Sequence, residues 1–330
     1  MSLLFRDAAG PSLAPGGSVL CVGAFDGVHV GHRALLARVH EQARARGLRA
    51  LAISFEPIPR EFFARGEPVP RLTCAREKIR LLFEAGIERV LSLRFDAALA
   101  AMPAERFIED VLISRADARG ILVGSDFRFG HARRGDVAML RRYADRGHFT
   151  LELMPEIDLG DGRVSSSAIR ERLAQGDFDA AARMLGRRFS IGGRVVRGRR
   201  LGRALGYPTA NIRLGARTSP ISGIFAVRVR GIAGAGSGSH AAEHADAWPG
   251  VASLGVRPTI DGGGEPLLEV HLFDFDGDLY GRRLEVEFVG KLREELKFDD
   301  LDAMVRQIDR DADGAREILG TIRAAGRRAG

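Results

Sequence analysis

Between residues 18 and about 150, short runs suited to strands alternate with stretches of helical periodicity: SVLCVGAF, HRALLARVHEQARARG, LRALAISF, CAREKIRLLFEAG, IERVLSLRF. The first helical stretch puts Leu35, Leu36, Val39 and Ala43 on one face and stops at Gly47. The second turns Ile79, Leu82 and Phe83 inward and stops at Gly86. PAERFIEDVLIS, ARGILVG, GDVAMLRRYADRG and HFTLELM continue the pattern. Strands alternating with helices argue for an α/β domain with a parallel sheet covered by helices on both faces.

The rhythm then changes. Two helical pieces, SSSAIRERLAQG and DFDAAARMLG, are followed from Phe189 by β runs without intervening helices: FSIGGRVVRG, GIFAVRVRG, PLLEVHLFDF and RLEVEFVG. Short strands between Gly-rich turns suggest a small β-barrel or sandwich. A terminal helix is expected over about 299–324, with Leu301, Val305 and Ile308 on its packed side. The boundary is placed near Gly186, giving domains 1–186 and 187–330. The Gly/Ala/Ser-rich stretch 232–250 reads as a mobile loop inside the second domain. A chain of 330 residues, 45% hydrophobic, can fill two such cores.

The net charge of +7 raises the question of a nucleic-acid partner. Lys78, Lys291 and Lys297 are the only lysines among 50 basic residues, the arginines are scattered, and aromatics make up only 7%. A nucleic-acid binder would cluster its charge and interleave aromatics, so the excess is expected to aid binding of anionic, phosphate-bearing small molecules. No apolar run approaches the about 18 residues of a membrane span and no secretory leader is recognisable, so a cytoplasmic location without membrane partners is expected. Cys21 and Cys74 have neither metal-ligand spacing nor a disulfide framework and are expected to be reduced core residues.

The stretch AFDGVHVGH, residues 24–32, follows the apolar run SVLCV, where a strand ends and a helix begins near Gly31. Ligands of open α/β sheets sit at such strand ends. Gly27 and Gly31 let backbone N–H groups approach an anion, and the helix N-terminus favours negative charge. His29 and His32, three apart, fall on one side of that turn, where both could donate to one phosphate. A metal site including Asp26 is the weaker alternative, because no further ligand completes a familiar spacing. SSSAIR, residues 165–170, places hydroxyls at a helix start with Arg170 one turn on.

GAFDGVHVGH resembles the HxGH signature of class I-like nucleotidyltransferases, in the form carried by bacterial bifunctional riboflavin kinases and FMN adenylyltransferases, also called FAD synthetases. SSSAIR is similar to that family's second signature, and VGSDFRFG, residues 123–130, resembles its G-x-D-F-x-F-G segment. Ala24 and Ile58 stand where the family often has Asn and His. The resemblance implies a Rossmann-like nucleotidyltransferase domain that joins FMN and ATP into FAD. Nucleotide binding is then carried by Gly23, Phe25, Asp26, Gly27, His29, Gly31, His32, Ser165, Ser166 and Arg170, with His29, His32 and Arg170 catalytic. Asp126, Phe127, Phe129 and Arg133 would bind flavin.

In the β region GRALGYPTANI, residues 202–212, joins a Gly-rich loop to an extended segment on which Thr209 and Asn211 face one side and could hold a Mg²⁺ bridging phosphates. No G-x-x-x-x-G-K-[ST] occurs, so an ATP site here is not the usual P-loop. Taken alone the stretch reads more readily as a turn than as a metal site. GYPTAN resembles the PTAN motif of riboflavin kinases, and GVRPTI (255–260), LEVHLFDFDGDLYG (268–281) and KLREELKF (291–298) follow in that family's order. Phe225 and Ile260 replace a frequent Tyr and Phe. The resemblance implies a small Greek-key barrel with a terminal helix. Gly202, Thr209 and Asn211 would be on Mg-ATP, Glu269 would be the base, and Arg293 and Phe298 would be on flavin.

The resemblance covers about residues 18–320 and implies riboflavin, FMN and ATP as substrates and Mg²⁺ as cofactor; from the composition no nucleic-acid partner is expected, and weak or transient self-association stays open. Two rivals remain at this point: an HxGH enzyme using another phosphorylated acceptor beside a non-catalytic β domain, and an RNA-binding protein.

Overall fold

The computed structural model describes residues 2–64, 68–160, 162–198, 206–215, 218–232, 247–256, 266–298 and 300–320. The chain divides into two compact units, residues 1–69 with 73–168, and residues 70–72 with 169–330.

The first unit runs β1 (Leu3–Phe5), β2 (Ser18–Val22), α1 (Val30–Ala45), β3 (Arg49–Glu56), α2 (Pro59–Phe63), α3 (Ala75–Glu84) and β4 (Arg89–Arg94). It continues through α4 (Ala97–Ala100), α5 (Ala104–Arg106), which passes into a π-helix over Phe107–Arg115, then β5 (Ala118–Gly124), β6 (Arg128–Phe129), β7 (Gly135–Asp136), α6 (Val137–Asp145) and β8 (Thr150–Met154). The six-stranded sheet has the order β1-β4-β3-β2-β5-β8 and is parallel throughout.

Alternate residues of its strands enter two cores. Leu20, Val22, Leu51, Ile53, Leu91, Leu93, Ile121 and Val123 pack in one; Val19, Cys21, Ala50, Ala52, Val90 and Leu122 pack in the other. Period-2 burial on both faces explains why these strands read as continuous apolar runs. Helix α1 buries Leu35, Leu36, Val39 and Ala43, the face its spacing predicts. Helix α3 also buries Lys78, whose Nζ donates to Phe55 O at 2.7 Å and pairs with Glu56 at 3.2 Å. Cys21 is a core residue, its thiol pushed up by burial, whereas Cys74 is half-buried and caps α3, its sulfur accepting from Glu77 N.

From β2 the sheet grows toward β3 and β4 on one side and toward β5 on the other. The crevice beyond the carboxyl ends of β2 and β5 is therefore the topological switch point. AFDGVHVGH follows β2 and GSDFRFG follows β5.

The second unit takes α7 (Ser166–Ala174) from Ile169 onward, then α8 (Phe178–Leu185), β9 (Ser190–Val196), β10 (Ala210–Arg213), β11 (Gly223–Arg230), β12 (Trp248–Val256), β13 (Pro266–Leu272), β14 (Arg283–Arg293) and α9 (Leu301–Leu319). Its strands close into an antiparallel barrel of order β10-β13-β12-β11-β14-β9. Phe225 and Phe288 are fully buried and meet edge to face at 5.2 Å, and Phe178 of α8 packs on Phe225.

Two expectations change here. Residues 248–250, assigned to a mobile loop, begin strand β12, with Trp248 buried and its indole N–H donating to Phe273 O; residues 233–246 of that stretch lie outside the described residues. The terminal helix buries Ala312, Ala315 and Leu319, while Leu301 is 64% exposed. The contact face lies in the C-terminal half because two alanines let the helix backbone approach the barrel closely, and Asp311 on the same face pairs with Arg293.

Candidate active sites

The first site grows from the turn between β2 and α1. Phe25, Gly27 and Val28 all have positive φ, at 51°, 84° and 41°. This sends the Phe25 ring back under the turn, where it is fully buried, and a Cβ on Gly23 would lie 3.1 Å from it. Phe25, expected at the nucleotide, instead forms the floor on which His32 rests edge-on at 5.1 Å. His29 caps α1, its Nδ1 accepting from His32 N at 3.4 Å. An accepting Nδ1 leaves the neutral ring's hydrogen on Nε2. The two imidazoles stack at 3.7 Å and 18°. A Cβ on Gly31 would sit 3.2 Å from the His29 ring, so glycine lets the ring lie close to the start of the helix. Nδ1 of His32 is buried without a hydrogen-bond partner, and its pKa is held well below the ordinary value by burial first and by His29 second.

Asp26, also expected at the nucleotide, turns inward and is 2% exposed. Its Oδ1 accepts from Thr73 N at 3.0 Å and from Thr73 Oγ1, while Gly27 N donates to Thr73 Oγ1 at 3.0 Å. Ser166 Oγ donates to Asp26 O at 2.8 Å, tying SSSAIR to the histidine turn. Ser165 caps α7 by accepting from Ala168 N. Arg170, beyond the division between the units, donates from Nε to Pro70 O at 2.6 Å.

After β5, Asp126 is exposed and receives Arg163 at 2.6 Å, which holds its carboxyl below the usual range. Phe127 is half-buried and stacks on Phe129 at 5.4 Å; Phe129 is 7% exposed, packs also on Phe107 and belongs to the core. Arg133 is exposed. Sequence reasoning missed an aromatic group at the carboxyl end of β3, where Phe62 and Phe63 of α2 and Phe55 meet Phe95, with Phe63 61% exposed. Its only signal is the EFF run of α2.

The second site lies on the barrel. Asn211 of β10 is directly opposite Glu269 of β13, and Glu269 is opposite Ser253 of β12. Ile212 and Leu268 are fully buried in the interior, so Asn211 and Glu269 share the outer face. Asn211 is 5% exposed; its Nδ2 donates to Thr209 O at 3.3 Å and its Oδ1 has no partner. A Cβ on Gly198 would come within 2.6 Å of its amide. Asn211, Gly198, Arg197 and Arg213 line a cavity of about 100 Å³. Thr209 and Pro208 line another of about 620 Å³ with Asp276, Asp278 and Tyr280.

His271, which sequence reasoning passed over, stands two residues from Glu269 and its Nδ1 lies 2.9 Å from Pro208 O, fixing the start of the Pro-Thr-Ala-Asn segment. Burial holds its pKa down. Arg293 grips Asp311 through two nitrogens at 2.8 and 2.6 Å and lies 5.9 Å above the Phe298 ring. Gly202 lies outside the described residues. Among the described residues, no cluster of three or more His, Cys, Asp or Glu could hold a metal ion.

A parallel sheet with paired histidines at its switch point in one unit, and a closed barrel carrying a Thr–Asn pair in the other, define a two-domain protein with a candidate site on each domain. Residues 12–168 match the family model of FAD synthetase and residues 185–319 that of riboflavin kinase. Proteins named bifunctional riboflavin kinase/FMN adenylyltransferase are 42% identical in Escherichia coli K12, over 94% of this chain and 95% of theirs, and 43% identical in Pseudomonas fluorescens, over 92% and 93%. The chain belongs to the bifunctional riboflavin kinase/FMN adenylyltransferase family. A solved structure described as a macrolide-efflux protein from Streptococcus pneumoniae is 28% identical, with a TM-score of 0.76, covering 96% of this chain and 98% of that one. Among the described residues no helix is long and apolar enough to cross a membrane.

Proposed function

We propose that the chain converts riboflavin to FAD by two successive transfers from ATP, one in each unit. The supporting observation is that each expected motif holds a buried side-chain atom without a hydrogen-bond partner: His32 Nδ1 at the switch point and Asn211 Oδ1 on the barrel.

On the barrel, Glu269 accepts the proton of the ribityl 5′-hydroxyl as that oxygen attacks the γ-phosphorus of ATP. The bond to the bridging oxygen breaks, ADP leaves and FMN forms. Thr209 and Asn211 suit a magnesium ion shared with phosphates, because such an ion takes one or two protein oxygens and Asn211 Oδ1 is buried and unused. Magnesium, when bound, supplies charge neutralisation along the triphosphate. Gly198 leaves room for that amide by lacking a side chain. Arg293, already held by Asp311, offers with Phe298 a rigid wall for the flavin ring.

In the α/β unit, an oxygen of the FMN phosphate attacks the α-phosphorus of a second ATP, the bond to the pyrophosphate oxygen breaks, and FAD and pyrophosphate result. FMN brings its own anionic nucleophile, so no covalent enzyme intermediate is required. The unit's task is to stabilise charge on the phosphates: His29 through Nε2–H, His32, Ser165, and the backbone around Gly23, Gly27 and Gly31. Ser166 and Asp26 serve by tying that turn. The flavin is assigned to Asp126, Phe127 and Arg133, with exposed Phe62 and Phe63 as a further stacking surface. Phe129 supports Phe127 from the core.

The test is direct: the pure protein with riboflavin and Mg-ATP is expected to yield FMN, then FAD with pyrophosphate, by chromatography. A passive barrel would leave riboflavin unchanged while FMN was still adenylylated.

A further inference from the structure

We infer that Thr73 is a positioning residue for adenylyl transfer, its hydroxyl setting the shape of the turn that presents His29 and His32. The inference rests on the reading of those histidines as the adenylyl-transfer site.

Two non-glycine residues of the turn, Phe25 and Val28, have φ of 51° and 41°. That region is costly for a side chain branched at Cβ such as valine, by about 1–3 kcal/mol, and persists only where the surroundings over-determine it. Thr73 is among those surroundings. Thr73 is 2% exposed and contacts the turn three times: its N–H and its hydroxyl both donate to Asp26 Oδ1, and its Oγ1 accepts from Gly27 N at 3.0 Å. Gly27 lies between the two strained positions. Ser166 supplies a further tie, to Asp26 O, and Ser54 Oγ donates to Ala24 O.

Thr73 directly precedes Cys74, the cap of α3, so its backbone is anchored by a ten-residue helix rather than by a loose loop. The hydroxyl thereby connects a helix start to the turn, and nothing about it requires contact with substrate. Without it, Gly27 N loses a buried acceptor, and the turn can relax toward ordinary φ values. The histidine stack at its far end would shift with it. Misplacement of about 1 Å at a reacting centre can cost on the order of 10²-fold in rate.

Thr73→Val removes the hydroxyl at nearly constant volume, and Thr73→Ser keeps it. Both are made in the full chain, and FMN adenylylation and riboflavin phosphorylation are measured on each preparation, with thermal melting. Thr73→Val is expected to lower kcat for FAD formation at least about tenfold, with a smaller change in KM for FMN. Riboflavin phosphorylation should be unchanged, and Thr73→Ser should retain most of the FAD-forming rate. Undiminished FAD formation by Thr73→Val overturns the inference. So does a Thr73→Ser variant as impaired as Thr73→Val, or joint loss of both activities with early melting, which would mark a role in folding alone. Wild-type protein unable to adenylylate FMN would instead overturn the reading on which the inference rests.

Discussion

Asn211 and Glu269 are cross-strand partners on the outer face of the barrel, an amide and a carboxylate held side by side by the β10–β13 register. The pairing puts the proposed metal-side oxygen and the proposed base within one residue row, and a one-residue slip of either strand would turn its member of the pair into the apolar interior. Glu269→Gln keeps the shape and removes the proton acceptor. It is expected to lower kcat for riboflavin phosphorylation by about 10²–10⁴ and to leave FMN adenylylation unchanged, as measured by FMN and FAD formation from the separate substrates.

Gly198 touches the same amide from the next strand's end. Adding one methyl group in Gly198→Ala must displace Asn211, because the new Cβ would stand 2.6 Å from its side-chain atoms. The expected outcome is a kinase-specific loss of about tenfold or more in kcat/KM for Mg-ATP, with a melting profile close to that of the parent. Steady-state kinetics at varied Mg-ATP would check it.

His32 carries a pKa below its ordinary value of 6.5, from burial and from His29. A histidine depressed in the folded state binds fewer protons there than when unfolded, so its neutral form favours folding above pH 6.5 and that advantage is lost as pH falls below it. Chemical denaturation of the parent and of His32→Asn across pH 7.5 to 5 (about two to three units spanning the ordinary histidine pKa) should show the parent losing more stability on acidification. Parallel curves would contradict the assignment.

Lys78 is a fully buried cation tied to Phe55 O and to Glu56, at the end of β3 that leads toward α2. Lys78→Met fits the space but leaves a carbonyl and a carboxylate without this partner. A loss of about 2 kcal/mol is expected, below the range for fully buried pairs because Glu56 is a third exposed. Urea denaturation followed by far-UV circular dichroism would measure it.

The parallel sheet was legible because both of its faces are buried, which writes β2 and β3 as unbroken apolar runs, and the barrel strands because they alternate: Leu268 and Val270 in, Glu269 out. Strand β12 was hidden because it opens on Trp-Pro-Gly beside a Gly-rich stretch, a composition that reads as loop. Asp26 and Phe25 looked like ligand contacts because a motif names residues without saying which way they turn. Positive φ in the turn drives both inward, and no residue pattern announces that for Phe25 or Val28. Thr73 and His271 were invisible for a related reason: their partners, Gly27 and Pro208, are backbone groups distant in sequence.

If the two transfers use separate ATP pockets on one chain, two crippled variants complement each other. His32→Ala should convert riboflavin only to FMN, Asn211→Ala should make FAD only from supplied FMN, and an equimolar mixture given riboflavin and Mg-ATP should make FAD. If both variants fail at the same transfer, or the mixture yields no FAD while the parent does, the two-pocket account is contradicted.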